Sequence, residues 1–255
     1  MRTVEISGKK VEIYDNIEEL PIIRFHKYNK CLLIDSGVGG DIGGFDMRLE
    51  KIIRFIGVNK EDAIKELQNL RQCVYLIHEE VNPRHLAFAT LVKSIDGVLV
   101  TDLSDDGLRK IVEQLGNAPV AEVDQIVEST KKKIDDELDL YFPQLFDDSA
   151  IKEQYDYIKK RAILILDGII EGRDTDEEAD KITTFILTYN KPHTFEGKES
   201  IEIAHDKNFE NMCLLLSQKL NVDAKKFSVL EYYNSASYLR DEIKAQNKRS
   251  KSKRS

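Results

Sequence analysis

The residues best placed to do chemistry fall in one glycine-rich run. Asp35-Ser36-Gly37-Val38-Gly39-Gly40-Asp41-Ile42-Gly43-Gly44 brings a carboxylate and a hydroxyl next to five of the chain's 13 glycines. Such a run could cradle phosphate, bind calcium or present Asp35 and Ser36 to a substrate. Phosphate fails first. Gly37-x-Gly39-x-x-Ile42 lacks the third glycine of a dinucleotide fingerprint, and no Gly-Lys-Ser/Thr closes a P-loop. Calcium fails next. Asp35, Asp41 and Asp46 match positions one, seven and twelve of an EF-hand frame, but Gly37 and Gly39 occupy positions that need side-chain oxygens. A second frame from Asp174, Asp176 and Glu178 meets Ala179 where a glycine is required. The run therefore reads as a loop and a flexible joint between packed helices.

The remaining candidates are scattered. His78 precedes His85 by seven residues, whereas a zincin needs His-Glu-x-x-His on one helical face, and Asn82-Pro83 breaks the helix between them. His26, His193 and His205 read as surface or partly buried structural histidines. Asp135-Asp136-Glu137 with Asp139 reads as the outer face of an amphipathic helix. Cys31, Cys73 and Cys213 are odd in number and far apart, with no CxxC pair, which argues against a zinc ribbon or a disulfide framework. A reduced compartment follows. No nucleophile–base pair is legible, so no catalytic, cofactor-binding or metal-binding residue is assigned.

Leu32-Leu33-Ile34-Asp35-Ser36-Gly37-Val38-Gly39-Gly40 resembles the N-terminal signature of glutamate racemases, a strand followed by Asp-Ser-Gly-Val-Gly-Gly. That resemblance implies active-site roles for Asp35 and Ser36. It covers under ten residues. Racemases of that family use two cysteines, each in a short motif of its own, and neither Gln72-Cys73-Val74 nor Met212-Cys213-Leu214 matches. The rest of the chain also lacks their alternating strands and helices.

The elements that must position these residues are mostly helical. Thr3–Ile6 and Val11–Tyr14 alternate with period two around Ser7-Gly8-Lys9-Lys10, a β-hairpin signal. Asp15 and Glu18 have capping-box spacing ahead of Pro21, which predicts a helix over 17–34, with a short strand over 30–35 as the alternative for its end. Helices follow over 45–56 and 60–80, the second capped by Asn59, and another opens at Asn82-Pro83. Ser104 starts a helix that Gly116 ends. Val123, Ile126, Val127, Thr130, Ile134, Leu138 and Tyr141 recur at threes and fours. So do Ile151, Tyr155, Ile158, Ala162, Leu166 and Ile169. Two such helices with a short joint predict a long antiparallel αα-hairpin, each arm about 30 Å long, whose two stripes must be buried. Thr175-x-x-Glu178 opens a helix to Tyr189, and the last two helices cover 208–220 and 228–245.

The fold class expected is mainly α: a multi-helix body with a long αα-hairpin and a small N-terminal β-hairpin. Its boundaries are 1–120 for the β-hairpin and helical body, 121–172 for the hairpin, 173–247 for C-terminal helices and 248–255 for a basic tail. Hydrophobic residues make up 41% of the 255 and charged ones 33%, which excludes wholesale disorder and suits long solvent-facing helices. The net charge is −8. Lys248, Arg249, Lys251, Lys253 and Arg254 carry five positive charges, so the rest of the chain holds −13, the net charge less these five. The body is a poor binder of nucleic acid, and any contact with DNA or an acidic partner falls to the tail. No apolar run reaches the ~18 residues of a membrane span and no signal-peptide core opens the chain, so a soluble, intracellular protein is expected.

A short hairpin followed by the run from Ile13 through Asp35-Ser36-Gly37 resembles virion structural proteins of crAss-like phages over about residues 1–58, and Phe227–Arg240 has a similar character. The resemblance implies a structural protein of the portal–tail region, where ring-forming adaptors stack between capsid and tail. It implies a head–tail connector in the virion, assembled in the host cytoplasm, with copies of itself (a dodecameric ring) and portal or other tail ring proteins as partners. It carries over no catalytic residue, cofactor or membrane contact. The alternative classes are a helical phage assembly chaperone and a small cytosolic enzyme using the Asp35–Gly40 loop.

Overall fold

The computed structural model describes residues 1–40, 42–116, 120–143, 149–189 and 191–252. The fold is mainly α, 71% helical, with a small N-terminal antiparallel β-hairpin. In chain order the elements are β1 (Arg2–Ile6), β2 (Lys9–Ile13), α1 (Ile22–Gly37), α2 (Phe45–Val58), α3 (Lys60–His78) and α4 (Pro83–Leu91). Then come β3 (Val92–Ile95), β4 (Val98–Leu99), α5 (Asp105–Leu115), α6 (Val120–Tyr141), α7 (Ser149–Glu171), α8 (Asp176–Tyr189), α9 (Ile201–Leu220) and α10 (Val229–Ser252). The chain divides into two compact units. Unit 1 holds Met1–Asp35, Pro83–Pro143 and Glu202–Ser255; unit 2 holds Ser36–Asn82 and Gln144–Ile201. The sequence boundaries at 120, 172 and 247 run along the chain, whereas these units interleave.

Unit 1 carries the large core. Its sheet has the order β1-β2-β3-β4, all antiparallel. Both hairpins turn on paired left-handed residues, Ser7-Gly8 (φ 50° and 74°) and Asp96-Gly97 (φ 49° and 82°), the geometry that matches strand twist. The expected β-hairpin is thus the outer half of a four-stranded sheet. Val11 and Ile13 of β2, and Val92 and Ile95 of β3, turn one face into a core shared with Phe25 and Tyr28 of α1 and Leu216 of α9. Burying each such side chain is worth roughly 1.5–3 kcal/mol. The α6 stripe is buried from Val123 through Ile134 and Leu138, and Phe142 rather than Tyr141 completes it.

Local signals placed several helices as expected. Asn59 accepts from the Glu61 N–H at 3.0 Å to cap α3, and Ser104 accepts from the Gly107 N–H at 3.1 Å to cap α5. Three boundaries differ. The α1 helix begins at Ile22, not residue 17: Asn16 Oδ1 accepts from the Glu19 N–H at 2.9 Å to close a separate turn, Pro21 forms a β-bridge with Ser228, and the Ile22 N–H donates to Phe227 O at 2.9 Å. It then runs through Asp35, Ser36 and Gly37, so neither a strand nor a loop stands there. The α9 helix starts at Ile201, seven residues before the expected 208.

Unit 2 is built from α2, α3, α7 and α8, with α2 against α3 and α8, and α7 against α8. Its interior is small and partly ionic. Ile52, Phe55, Leu70 and Cys73 are buried beside Glu66, whose carboxylate lies 3.6 Å from Arg48 and 3.5 Å from Lys51. Both long helices form: α6 packs on α4 within unit 1, and α7 packs on α8 within unit 2. The expected α7 stripe is open to solvent. Tyr155, Ile158, Leu166 and Ile169 are exposed, while Tyr157 packs tilted against Phe185 with ring centroids 4.0 Å apart and Arg161 Nε donates to Thr183 at 2.7 Å. Apolar residues cover most of the α7 circumference beyond Arg161, so periodicity there does not select a face.

Candidate functional site

A set of titratable groups in unit 1 joins α1 to α9. His26 and Lys30 stand four residues apart on one face of α1; Glu202, His205, Asp206 and Phe209 share a face of α9 by threes and fours. His26 stacks on both His205 (centroids 4.4 Å apart, planes 8° apart) and Phe209 (4.0 Å, 9°), which holds its ring in one orientation. Its Nε2 lies 2.9 Å from Asp206 Oδ1, and Lys30 Nζ donates to Asp206 Oδ2 at 2.8 Å. An ionised carboxylate only accepts, so Nε2 carries the proton and Nδ1 is the basic nitrogen of the neutral ring. The group borders a cavity of about 510 Å³ whose apolar wall includes Ile23, Leu86, Leu108 and Phe209.

Burial lowers the His26 pKa from its ordinary value, and the hydrogen bond to Asp206 only partly offsets this. Burial works against the Asp206 carboxylate, yet hydrogen bonds from Lys30 and His26 hold it below the usual carboxylate range. Cys31, on the same wall, has its thiol pushed up to about 12 by burial, so it is no thiolate at neutral pH. The arrangement can accept and return a proton through His26. It offers no activated nucleophile beside it.

The glycine run comes out differently. Asp35 ends in an ion pair, its Oδ2 3.0 Å from Arg84 Nε, and Arg84 also lies 3.6 Å from Glu128. The racemase-like signature needs a strand where α1 continues. Gly37 owes its identity to packing, since a Cβ there would lie 2.3 Å from the Phe195 ring. In the first EF-hand frame Asp41 lies outside the described residues, and Asp46 belongs to the first turn of α2. In the second frame, Asp174 accepts from the Asp176 N–H at 2.9 Å, and Asp176 and Glu178 sit in the first turn of α8. Carboxylates there answer the helix dipole without a cation.

Among the other sequence candidates, His78 ends α3 and the carbonyl of His193 accepts from buried Asn69 at 2.9 Å. Burial also lowers the His85 pKa. Asp135 pairs with Lys131 at 3.4 Å, and Glu137 accepts the Ile17 N–H at 2.9 Å. Among the described residues no group of three or more His, Cys, Asp or Glu side chains is placed to hold a metal. A groove of about 760 Å³ in unit 2 is lined by Arg54, Arg161 and Arg173, but Arg54 is already held by Glu50 and Asp180 and Arg173 by Glu171. Lys248, Arg249 and Lys251 fall on the last turns of α10, while Lys253 and Arg254 lie outside the described residues.

Sequence reasoning missed the pairing of His26 with Asp206. The two stand 180 residues apart, and neither sits in a motif that names the other. Comparison with protein-family models, with curated proteins and with solved structures finds no match to this chain. No helix among the described residues is long and apolar enough to cross a membrane.

Proposed function

We propose that this chain is a structural virion protein of the portal–tail region, forming or joining a ring that serves as a head–tail connector through which DNA passes. The observation that carries the assembly part is the apolar surface of unit 2. Met47, Ile53 and Ile56 of α2, with Tyr155, Leu166 and Ile169 of α7, are each more than half exposed. Soluble monomers rarely keep contiguous apolar patches larger than a few hundred Å² open, and such surfaces mark sites for protein partners. The portal–tail assignment rests on the resemblance over about residues 1–58. In this reading copies of the chain close a dodecameric ring through heterologous contacts, which close when the rotation between subunits permits. Portal or other tail ring proteins stack on it in the virion, after assembly in the host cytoplasm. Lys248, Arg249, Lys251, Lys253 and Arg254 meet DNA or an acidic partner surface.

Negative-stain imaging and light scattering of the purified protein test the reading. Closed rings are the expected outcome; a monomer at every concentration that turns over a small molecule overturns it. A second reading, as a small enzyme, has one observation behind it: the His26–Asp206 pair at the 510 Å³ cavity. It differs from the Asp35–Gly40 alternative in placing the chemistry on α1 and α9. Turnover lost in His26→Ala but kept in Asp35→Ala would establish it.

A further inference from the structure

The cavity between α1, α4, α5 and α9 has a lining whose charges can be accounted for one by one. It lies within unit 1 and holds about 510 Å³, inside the size range of small-molecule sites. Its apolar wall keeps open surface: Ile23, Ile34, Leu86 and Phe209 are each half-buried, around the buried Leu108.

Most of the charge cancels within the lining. Lys30 donates to one oxygen of Asp206 at 2.8 Å and lies 3.8 Å from Glu202, while His26 holds the other Asp206 oxygen at 2.9 Å. Lys225 stands 2.7 Å from Glu210. Two charges are left over. Among the described residues neither the Lys27 ammonium of α1 nor the Asp105 carboxylate of α5 has a hydrogen-bond or ion-pair partner.

These two are of opposite sign and act on one stretch of wall. Lys27 stands one helical turn from Cys31 on α1, and Asp105 reaches that wall from the first turn of α5, where the helix dipole favours a carboxylate. Burial dominates the Cys31 thiol. Of the charges acting on it, Asp105, which raises its pKa, and then Lys27, which lowers it, act most strongly. Lys27 is half-buried, so its ammonium has lost water without gaining a counter-ion.

The lining therefore asks for an anion at Lys27, a cation at Asp105 and an apolar body against the wall. A simple organic acid leaves Asp105 facing another carboxylate, and a simple amine sets its ammonium beside Lys27. A zwitterion with an apolar side chain meets all three demands. We propose that this cavity binds a free apolar or aromatic amino acid, its carboxylate on Lys27, its ammonium on Asp105 and its side chain against Leu86 and Phe209. The proposal rests on neither the connector nor the enzyme reading, since binding requires no ring and no turnover.

Calorimetric titration of the full-length wild type with L-phenylalanine tests it, beside two analogues that each lack one charge. Saturable binding of the amino acid is expected. Phenethylamine, without the carboxylate, should bind about tenfold more weakly, the worth of a hydrogen bond to a charged, partly buried group. Hydrocinnamate, without the ammonium, should lose only about threefold, because Asp105 is exposed and screened by solvent. The variants must mirror the analogues. Lys27→Gln should weaken L-phenylalanine about tenfold without weakening phenethylamine. Asp105→Asn should weaken it about threefold without weakening hydrocinnamate. The analogue series uses wild-type protein alone, so it stands whether or not either variant folds. No saturable binding up to the solubility of L-phenylalanine overturns the proposal. So does either analogue binding as tightly as the amino acid, or a folded variant that weakens the matching analogue as much as the zwitterion.

Discussion

Arg24 Nη1 donates to the carbonyl oxygen of Val92 at 2.8 Å from inside the core of unit 1, with 7% of the residue exposed. The same nitrogen donates to Thr90 O at 2.9 Å, and Nη2 donates to Val100 O. Thr90 lies in the last turn of α4 and Val92 opens β3, so the guanidinium satisfies carbonyls at a junction where the helix has run out of its own donors. The Tyr14 ring lies 5.5 Å from its Cζ, a favourable cation–π placement. Burial lowers the Arg24 pKa, yet a guanidinium stays charged at any physiological pH.

Arg24→Met should therefore cost more than its good apolar fit suggests. It strands two or three buried carbonyls, at roughly 1–3 kcal/mol for each group left unsatisfied. Urea unfolding should show a loss of several kcal/mol, with Arg24→Lys intermediate because one ammonium cannot span all three acceptors. A midpoint for Arg24→Met equal to wild type would show that the carbonyls are satisfied without it.

Stability should fall on mild acidification. The folded His26 pKa lies below its ordinary 6.5 because burial disfavours the cation, so the unfolded chain binds more protons in that window. The contribution is fully present above pH 6.5 and is lost as pH falls through the folded value. His85, lowered by burial, adds with the same sign. Asp206, held below its ordinary 3.8, loses its contribution only at more acidic pH. Thermal melting between pH 7 and 5 should show the decline, and His26→Gln should flatten it. An equal slope in wild type, His26→Gln and His85→Gln would assign the acid sensitivity elsewhere.

Asp35→Ala should leave the fold nearly unchanged. Its ion pair with Arg84 is partly solvated on both sides, 20% and 38% exposed, and pairs of that kind contribute about 1 kcal/mol or less. The melting temperature should move little, and neither protein should racemise amino acids. Racemisation by the wild type that Asp35→Ala abolishes would restore the glycine run as an active site.

Deleting residues 248–255 removes five positive charges and leaves a body of −13, the −8 of the whole chain without them. Melting should be unchanged. Self-assembly should weaken at low ionic strength through added repulsion, and the deficit should shrink toward 0.15 M salt, where screening acts over ~8 Å. Assembly identical to wild type at every salt concentration would leave the tail without an electrostatic role.

Short-range chemistry was legible residue by residue. Asn59, Ser104 and Gly116 mark helix ends because a cap is satisfied within three residues of itself. The α6 stripe was legible because its apolar positions occupy one narrow face. The β3–β4 hairpin carries a local signal too: Asp96-Gly97 between apolar runs is a turn signal of the strongest kind. Asp15 misled, because Asn16 rather than Asp15 closes the turn that follows.

By itself the sequence determined a mainly helical chain, most of its helix ends, one hairpin turn and the buried face of α6, all set by interactions spanning a few residues. Only the tertiary structure decided which of the possible α7 faces is covered, since Tyr157 and Arg161 are partly buried by their partners on α8 rather than by their own periodicity. It also decided that His26 and Asp206 meet across 180 residues, and that Arg24 belongs inside. Those contacts lie between elements, and a one-dimensional pattern records which residues share a face but not which face finds a neighbour.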